Sequence, residues 1–252
     1  GIVLVTGPTG SGKTTTLYSS MKQLATDDVN VCTIEDPIEL VVPEFNQMQV
    51  HHAIGLDFAS GLRTMLRQDP DIAMVGEIRD QETAEMAAQA ALTGHLVLST
   101  LHTNDAPSAI TRLVELGTPP YLISATLLGV MAQRLVRTLC PHCKEPDAPD
   151  PEQWKQLVQP FAARTPERVY SPVGCLECRN TGYLGRSGVY ELVRMSPALR
   201  RLVGPNTDTD EIRRRAFREQ MRPMRLAGAR KIARGETTIE EVMRVTPPAE
   251  EG

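Results

Sequence analysis

The sequence has few aromatic residues, no excess of positive charge and no long apolar run. Of its 252 residues, 4% are aromatic, and the formal net charge is -4. Nucleic-acid binding depends on a positive field and, for single strands, on aromatic stacking, so both values argue against a nucleic-acid partner. No apolar run approaches the ~18 residues of a membrane span, and no signal peptide begins the chain. These absences predict a cytosolic protein.

The chain also lacks an initiating Met, because it begins at Gly1 and enters an apolar, β-branched run at once. The first strand of an α/β sheet is rarely a free terminus. We therefore expect a fragment whose upstream domains are missing. A chain of this length can bury a full core in one or two domains.

The first chemical motif lies at residues 7–14, which read Gly-Pro-Thr-Gly-Ser-Gly-Lys-Thr. They fit the phosphate-binding pattern G-x-x-x-x-G-K-[ST], between a predicted strand and a predicted helix. The glycines let the backbone curl until its N–H groups point at phosphate oxygens. Lys13 would reach the β- and γ-phosphates, and Thr14 would hold Mg²⁺. The predicted ATP-binding residues are Gly7, Pro8, Thr9, Gly10, Ser11, Gly12, Lys13, Thr14 and Thr15.

Up to about residue 138, short apolar strands alternate with helical stretches, which is typical of a parallel sheet covered by helices. Asp80 is a predicted N-cap and Gly94 a predicted helix stop. Besides the strand at 2–6, strands are predicted at 29–34, 72–75 and 96–99, and apolar stripes predict helices around 58–66 and 84–91.

The composition shifts at Cys140, where a Pro-rich segment with weak periodicity begins. Regular patterning returns near 188–193 as a strand, followed by helices at 196–203, 210–220, 222–234 and 238–245. We divide the chain into a core at 1–138, a cysteine-containing subdomain at 139–185, a return strand with C-terminal helices at 186–246 and a disordered tail at 247–252.

Acidic residues follow two predicted strands, at the edge where open α/β sheets bind their ligands. A carboxylate there can orient and deprotonate an attacking water, and Glu39 is the first candidate, with Glu35 second. A solvated acidic loop is the alternative. Glu77 follows the third strand as the acid of a Walker B element does. Many P-loop enzymes carry an Asp one position earlier, where this chain has Gly76, but the side chain of Glu is longer than that of Asp and can still reach Mg²⁺.

Two histidines and one arginine complete the candidate catalytic set. His102 follows the fourth strand, where it would lie near the γ-phosphate, and His95 enters the same strand. Structural hydrogen bonding is the alternative for both. Charge on the transferred phosphoryl group favours an arginine, and Arg67 is the candidate near the third strand, with surface solvation as the alternative.

Four of the five cysteines form two C-x-x-C pairs, Cys140 with Cys143 and Cys175 with Cys178. This is the ligand spacing of a structural Zn²⁺ site. Four thiolates would leave no position for water, so the zinc would be architectural, and its binding could contribute on the order of 10 kcal/mol. Disulfides, or His142 in place of one cysteine, are the alternatives.

Basic residues gather in the C-terminal part at Arg213, Arg214, Arg215 and Arg218. They could meet a partner or acidic lipid headgroups. A solvated helix face is the alternative.

Taken together, these motifs resemble one family. GPTGSGKTTTLY at 7–18, TIEDPIE at 33–39, LRQDPDIAMVGEIRD at 66–80 and TGHLVLSTLHTNDA at 93–106 resemble the successive boxes of secretion ATPases. The two cysteine pairs and GYLGRSGVYELV at 182–193 narrow the resemblance to the assembly ATPases of type II secretion and type IV pili, the GspE and PilB type.

The resemblance implies an α/β fold with a RecA-like P-loop NTPase core. In that fold a parallel-type central sheet is flanked by helices, and a small tetracysteine zinc subdomain and C-terminal helices are added. It assigns Walker A to 7–14, the acidic box to 35–39, Walker B to Glu77 and the histidine box to His95 and His102.

The resemblance also implies a function. It predicts a homo-hexameric ATPase on the cytoplasmic face of the inner membrane, using ATP and Mg²⁺ to drive pilin or pseudopilin assembly. Its partners would be an inner-membrane platform protein and cytoplasmic docking proteins. Since upstream domains help to close the family's nucleotide site, we expect weak nucleotide binding and poor hydrolysis from this chain alone. A conjugative or DNA-translocating ATPase, and a zinc-stapled docking module with a vestigial ATP site, are the competing interpretations.

Overall fold

The structure is a computed structural model that describes residues 1–248. Positions 249–252 of the predicted tail lie outside the described residues. The strands are β1 (Ile2–Thr6), β2 (Val31–Glu35), β3 (Asn46–Gln49), β4 (Ile72–Val75), β5 (Leu96–Leu101), β6 (Leu127–Leu139), β7 (Glu145–Asp147), β8 (Val169–Ser171) and β9 (Tyr183–Arg194). The helices are α1 (Lys13–Leu24), α2 (Phe58–Met65), α3 (Gln81–Leu92), α4 (Ala106–Glu115), α5 (Pro120–Thr126), α6 (Pro151–Val158), α7 (Pro197–Arg200), α8 (Thr209–Arg218), α9 (Met224–Ala233) and α10 (Ile239–Val245).

A seven-stranded sheet lies at the centre, in the order β3-β2-β4-β5-β1-β6-β9. Its pairs are parallel except β6 with β9, which confirms the predicted mostly parallel α/β sheet. β1 lies between β5 and β6, with Leu4 opposite Ser99 and Val130. Because β1, β2, β4 and β5 run in the same direction, the segments that follow them meet at one edge, which we call the carboxyl edge.

Helices cover the two faces of this sheet. On one face, Leu17, Tyr18 and Met21 of α1 pack in a cluster with Val5 and Met74. On the other face, α2 to α5 contribute to the larger core, which the C-terminal helices extend. Burying one large apolar side chain contributes about 1.5–3 kcal/mol. The two packed layers therefore stabilise the sheet, and the sheet in turn holds its carboxyl edge in place.

Local signals in the sequence agree with several helix ends. The Asp80 side chain accepts the Thr83 N–H at 2.8 Å, which confirms the predicted cap of α3. Gly94 follows that helix with φ +111, a conformation that L side chains rarely adopt. Thr238 caps α10 by accepting the Glu241 N–H at 3.2 Å. Within residues 1–248, none of the helices combines the length and apolarity needed to cross a bilayer.

The largest departure from the predicted elements is β6. Its 13 residues pair with β1 on one side and with β9 on the other. The apolar run does not alternate clearly, because β6 is buried on both faces over much of its length, and such a run does not separate a strand from a buried helix. As a result, the strand ends directly before Cys140, and the sheet leads straight into the first cysteine pair.

The Pro-rich segment after Cys140 contains more regular structure than its periodicity predicts. β7 and β8 form a small antiparallel pair. Pro151 occupies the first turn of α6, where a missing N–H is tolerated. Trp154, Leu157 and Val158 of that helix are buried in the main core. The segment therefore packs against the C-terminal helices, and the domain boundaries given above stay predictions.

Candidate functional site

The P-loop joins β1 to α1 at the carboxyl edge. Gly12 has φ +84, and a Cβ there would lie 2.9 Å from Gln133 Nε2. At Gly7 a Cβ would lie 2.5 Å from the Gln133 carbonyl oxygen. These two positions therefore need glycine, for conformation and for close approach to β6. α1 begins at Lys13 with no acidic residue in its first turn, so the helix presents a positive N-terminus suited to a phosphate.

A cavity of about 680 Å³ opens above the loop. It brings together side chains from the P-loop and from the segments after β2, β4 and β5. Of the predicted site residues, its lining includes Thr9, Gly10, Gly12, Lys13, Thr14, Thr15, Glu35, Glu39, Glu77 and His102. Residues far apart in the sequence thus meet across hydrogen-bonded strands; the Thr6 hydroxyl, for example, donates to the carbonyl of Leu101, 95 residues away.

Lys13 folds back over the loop. Its Nζ donates to the carbonyl oxygens of Gly7 at 2.9 Å and Pro8 at 3.1 Å. Burial lowers the pKa of Lys13; the Glu77 carboxylate opposes this effect, and Arg134 adds to it. The ammonium group is therefore held inside the loop, where phosphate oxygens can replace the two carbonyls.

Glu77 faces Lys13 from the end of β4. Its Oε1 accepts a hydrogen bond from Arg79 Nη2 at 2.5 Å, and its Oε2 lies 3.6 Å from His102 Nε2. Only 16% of its side chain is exposed. The Thr14 hydroxyl and the Glu77 carboxylate, both on this cavity, offer the oxygen ligands that Mg²⁺ prefers.

The two acidic candidates after β2 have different environments. Glu35 is 3% exposed, and its carboxylate accepts the hydroxyl protons of Tyr18, at 2.7 and 2.8 Å, and of Thr33, at 2.6 Å. Burial and the hydrogen bond to Glu35 raise the pKa of Tyr18. Glu39 instead lies exposed at the cavity. Geometry favours Glu39 for contact with water and makes Glu35 a buried anchor of α1 on β2.

Two predicted catalytic residues lie away from this cavity. His95 precedes β5, whose other end leads to His102, and a strand of this length separates them by about 20 Å. The His95 ring is instead hydrogen-bonded to Ala90 O at 2.8 Å and to Thr93 Oγ1 at 3.0 Å. Arg67 lies before β4 and is exposed. Like His95, it is therefore at the edge of the sheet opposite the carboxyl edge. The structure does not bring either side chain to the P-loop of its own chain.

Sequence reasoning missed three residues close to the loop, all on β6 and β9. Gln133 and Arg134 are buried beside the P-loop, and Arg186 lines the cavity. The signal available in the sequence was the polar pair Gln133-Arg134 inside an otherwise apolar run at 127–136. A buried polar residue needs hydrogen-bond partners, so such a pair indicates a specific contact.

The four predicted zinc ligands form one cluster. The Sγ atoms of Cys140, Cys143, Cys175 and Cys178 all lie within 4.8 Å of one another, and three pairs are 3.8 Å apart. Tetrahedral zinc with Zn–S bonds of about 2.3 Å requires sulfur atoms about 3.8 Å apart. The donor set and its spacing therefore fit a Zn²⁺ ion.

Main-chain N–H groups also point at two of these sulfurs. Cys175 and Gly182 each donate to Cys178 Sγ at 3.2 Å, and Gly174 donates to Cys143 Sγ at 3.3 Å. Such donors stabilise thiolates. Cys32, by contrast, is buried in β2.

The arginines of α8 divide into two groups. Arg213 Nη2 lies 3.0 Å from Asp105 Oδ2, and Arg215 Nε lies 2.7 Å from Glu219 Oε1. Arg214 and Arg218 are exposed. Only part of the predicted basic cluster therefore faces solvent.

A mostly parallel α/β sheet with a phosphate loop, and carboxylates after the neighbouring strands, defines a P-loop NTPase fold. Comparison with known proteins specifies this class further. The chain belongs to the type II/IV secretion system protein family, whose pattern matches residues 1–244.

Relatives and solved structures agree with this assignment. The chain is 62% identical to the type IV pilus assembly ATPase TfpB of Acinetobacter baylyi, over 98% of this chain and 42% of that protein. It is 53% identical to the type II secretion system protein E of Pseudomonas aeruginosa, over 98% of this chain and 48% of that protein. The crystal structure of the pilus retraction motor PilT with bound ADP superposes with a TM-score of 0.71 at 32% identity, over 98% of this chain and 61% of PilT. The chain thus spans less than half the length of the first two relatives.

Proposed function

We propose that this chain is the ATP-hydrolysing part of a motor that powers type IV pilus assembly or type II secretion. The observation that carries the proposal is the single cavity in which Lys13, Thr14, Glu39 and Glu77 converge on the P-loop. The names of the relatives, which are assembly and secretion ATPases, support the same conclusion.

Each residue of the cavity has a proposed role. Lys13 and the loop N–H groups bind the β- and γ-phosphates, and Thr14 and Glu77 would hold a Mg²⁺ ion, which would supply neutralising charge to the transferred phosphoryl group. Glu39 orients a water and accepts its proton while the water oxygen bonds to the γ-phosphorus and the bond to the β-phosphate oxygen breaks. His102, beside Glu77, would lie near the γ-phosphate. His95 and Arg67 have no role in this proposal.

The wider function follows the relatives. We propose a homo-hexamer at the cytoplasmic face of the inner membrane, acting on pilins or pseudopilins through an inner-membrane platform protein and cytoplasmic docking proteins. Zinc on the four cysteines would cross-link the segment that follows β6. The exposed Arg214 and Arg218 offer a surface for acidic headgroups, and the net charge of -4 disfavours the DNA-translocating alternative.

The deciding experiment compares Lys13→Ala with the matched control Lys155→Ala on α6. We expect Lys13→Ala to weaken binding of a fluorescent Mg-ATP analogue by at least ~100-fold, since a charge-assisted phosphate contact is lost. The control should bind as the unmodified chain does. In the complete protein that carries this chain, Lys13→Ala should abolish piliation or secretion. Unchanged piliation and secretion would contradict the motor function.

A further inference from the structure

Gln133 of β6 holds the P-loop at two points. Its Nε2 donates to the Ser11 carbonyl at 2.7 Å, and its Oε1 accepts from the Thr16 hydroxyl at 2.7 Å. The side chain is 2% exposed. One amide therefore joins the loop to the first turns of α1, where both curve around the phosphate position.

The next residue, Arg134, reaches a different segment. Its Nη2 donates to the Asn104 carbonyl at 2.8 Å, and its Nη1 donates to the Gln133 carbonyl at 3.0 Å. It is 6% exposed, and Nη1 lies 3.0 Å from the point where a Cβ on Gly7 would stand. The cation is thus directly behind the start of the P-loop.

The segment that Arg134 contacts runs from His102 to Asp105. It is also attached to the end of β1, because Thr6 Oγ1 accepts the Thr103 N–H at 2.8 Å. His102, at the start of this segment, lies beside Glu77. The position of the histidine relative to the P-loop therefore depends on contacts from β1 and β6.

Packing alone does not account for this pair. The flanking β6 residues Ala132 and Val136 are fully buried and apolar. Burying a polar or charged group costs free energy unless its hydrogen bonds are replaced, and a cation costs more than an amide. Burial lowers the pKa of Arg134, and the carboxylates of Glu191 and Asp105 oppose this effect. A cation kept at such a position indicates a need for its charge or its donors.

We propose that Gln133 and Arg134 are positioning residues for the nucleotide. Gln133 fixes the curvature of the P-loop, and Arg134 sets the His102 segment against it. The inference rests on the proposed function for the identity of the ligand. Because the P-loop would bind phosphates common to ADP and ATP while His102 would lie near the γ-phosphate, variants of the two residues should have separable effects.

The test uses Gln133→Met and Arg134→Met, with the milder variants Gln133→Asn, which keeps an amide on a shorter side chain, and Arg134→Lys, which keeps the charge. Val136→Ala is the matched control, since it removes buried volume from the same strand without removing a hydrogen bond to either loop. Fluorescent ADP and ATP analogues with Mg²⁺ serve as probes in the complete protein that carries this chain, at a temperature where circular dichroism shows each variant folded. Gln133→Met should weaken both nucleotides by about tenfold, because hydrogen bonds that preorganise the loop are lost. Arg134→Met should weaken ATP more than ADP, with Arg134→Lys between it and the unmodified chain.

A second measurement requires no nucleotide binding. Amide hydrogen exchange of the nucleotide-free chain should rise at residues 7–16 in the Gln133 variants and at 102–106 in the Arg134 variants, and Val136→Ala should produce neither local pattern. Unchanged exchange in both segments would overturn the inference, as would equal loss of ADP and ATP binding in all variants and the control. If local exchange rises while the complete protein that carries this chain binds no nucleotide, the two residues still position the P-loop and the His102 segment, and the proposed ATPase function fails.

Discussion

The carboxyl edge and the cysteine cluster both gather polar groups from distant segments, but they are built for opposite purposes. At the carboxyl edge, Glu39 and His102 face an open cavity above a sheet that is packed on both faces. In the cluster, the four sulfurs point at one another, and main-chain N–H groups complete their surroundings. The first arrangement suits a ligand that binds and leaves, and the second suits a permanent cross-link. Substitutions should therefore affect activity at one site and stability at the other.

Cysteine substitution and metal removal should give the largest effect. We expect one zinc per chain, and we expect Cys178→Ser or strong chelation to unfold the segment between β6 and β9, since structural zinc contributes on the order of 10 kcal/mol to such segments. Elemental analysis, thiol titration and thermal unfolding measure this. Cys32→Ala is the control and should keep its zinc. A folded, metal-free chain with four freely reactive thiols would contradict the assignment.

Glu39 and Glu35 test the comparison within the carboxyl edge itself. Glu39→Gln should reduce ATP hydrolysis by about 10²–10⁴-fold in the complete protein, because a general base is lost, and should leave the unfolding free energy unchanged. Glu35→Gln should lower the unfolding free energy by about 1–3 kcal/mol, because its oxygens accept buried hydroxyl protons. Hydrolysis assays and urea unfolding separate the two outcomes. The reverse assignment of the two effects would show that Glu35, not Glu39, contacts the water.

Glu241 connects the C-terminal helices to β6, and its loss should affect stability alone. The buried carboxylate accepts hydrogen bonds from Arg137 Nη2 at 2.5 Å and from Arg244 Nη2 at 2.8 Å. Glu241→Gln should lower the unfolding free energy by about 2–3 kcal/mol, because the buried charge that pairs with both arginines is lost. This loss is smaller than the usual cost of breaking a buried ion pair, since water can hydrate both arginines. The neighbouring exposed Glu240→Gln is the control. Equal stability of the two variants would contradict a structural role for this contact.

The same contact has a pH signature. Burial alone would raise the pKa of Glu241, but hydrogen bonds from Arg137 and Arg244 outweigh it and lower the pKa to about 2. A group with a lowered folded pKa contributes stability above its unfolded pKa of about 4.5 and loses that contribution as the pH falls toward 2. The unmodified chain should therefore lose more stability than Glu241→Gln does over this acid range, as urea unfolding at several pH values can measure.

These contrasts also explain what the sequence could and could not predict. Walker A, Glu77 and both cysteine pairs are local patterns, and the parallel sheet places the ends of their strands together. His95 does not reach the cavity of its own chain, because one strand separates it from His102 and the two rings lie at opposite edges of the sheet, so its catalytic role stays a prediction. Gln133 contacts Ser11 across 122 residues, and no local pattern encodes such a pairing. β6 was missed for a different reason, since burial on both faces removes the alternation that identifies a strand.

The smallest expected effect concerns Glu191, on the strand that joins the two regions. This carboxylate accepts the Ala106 N–H at 2.9 Å, where α4 begins behind the His102 segment. Burial raises the pKa of Glu191 to about 7, against the opposing effect of that hydrogen bond. Asp105 also raises the pKa, and the hydrogen bond from the Met224 N–H and the charge of Arg213 lower it.

A group with a raised folded pKa contributes stability below its unfolded pKa of about 4.5, and that contribution is lost as the pH rises through about 7. Between about pH 5 and pH 8 the unmodified chain should therefore lose about 1–3 kcal/mol that Glu191→Gln retains, since the amide oxygen still accepts the hydrogen bond without ionising. Urea unfolding across this range, with Glu219→Gln as the control, measures the difference. Parallel stability curves for Glu191→Gln and the unmodified chain would show that Glu191 is already ionised at low pH, with the charge of Arg213 outweighing its burial.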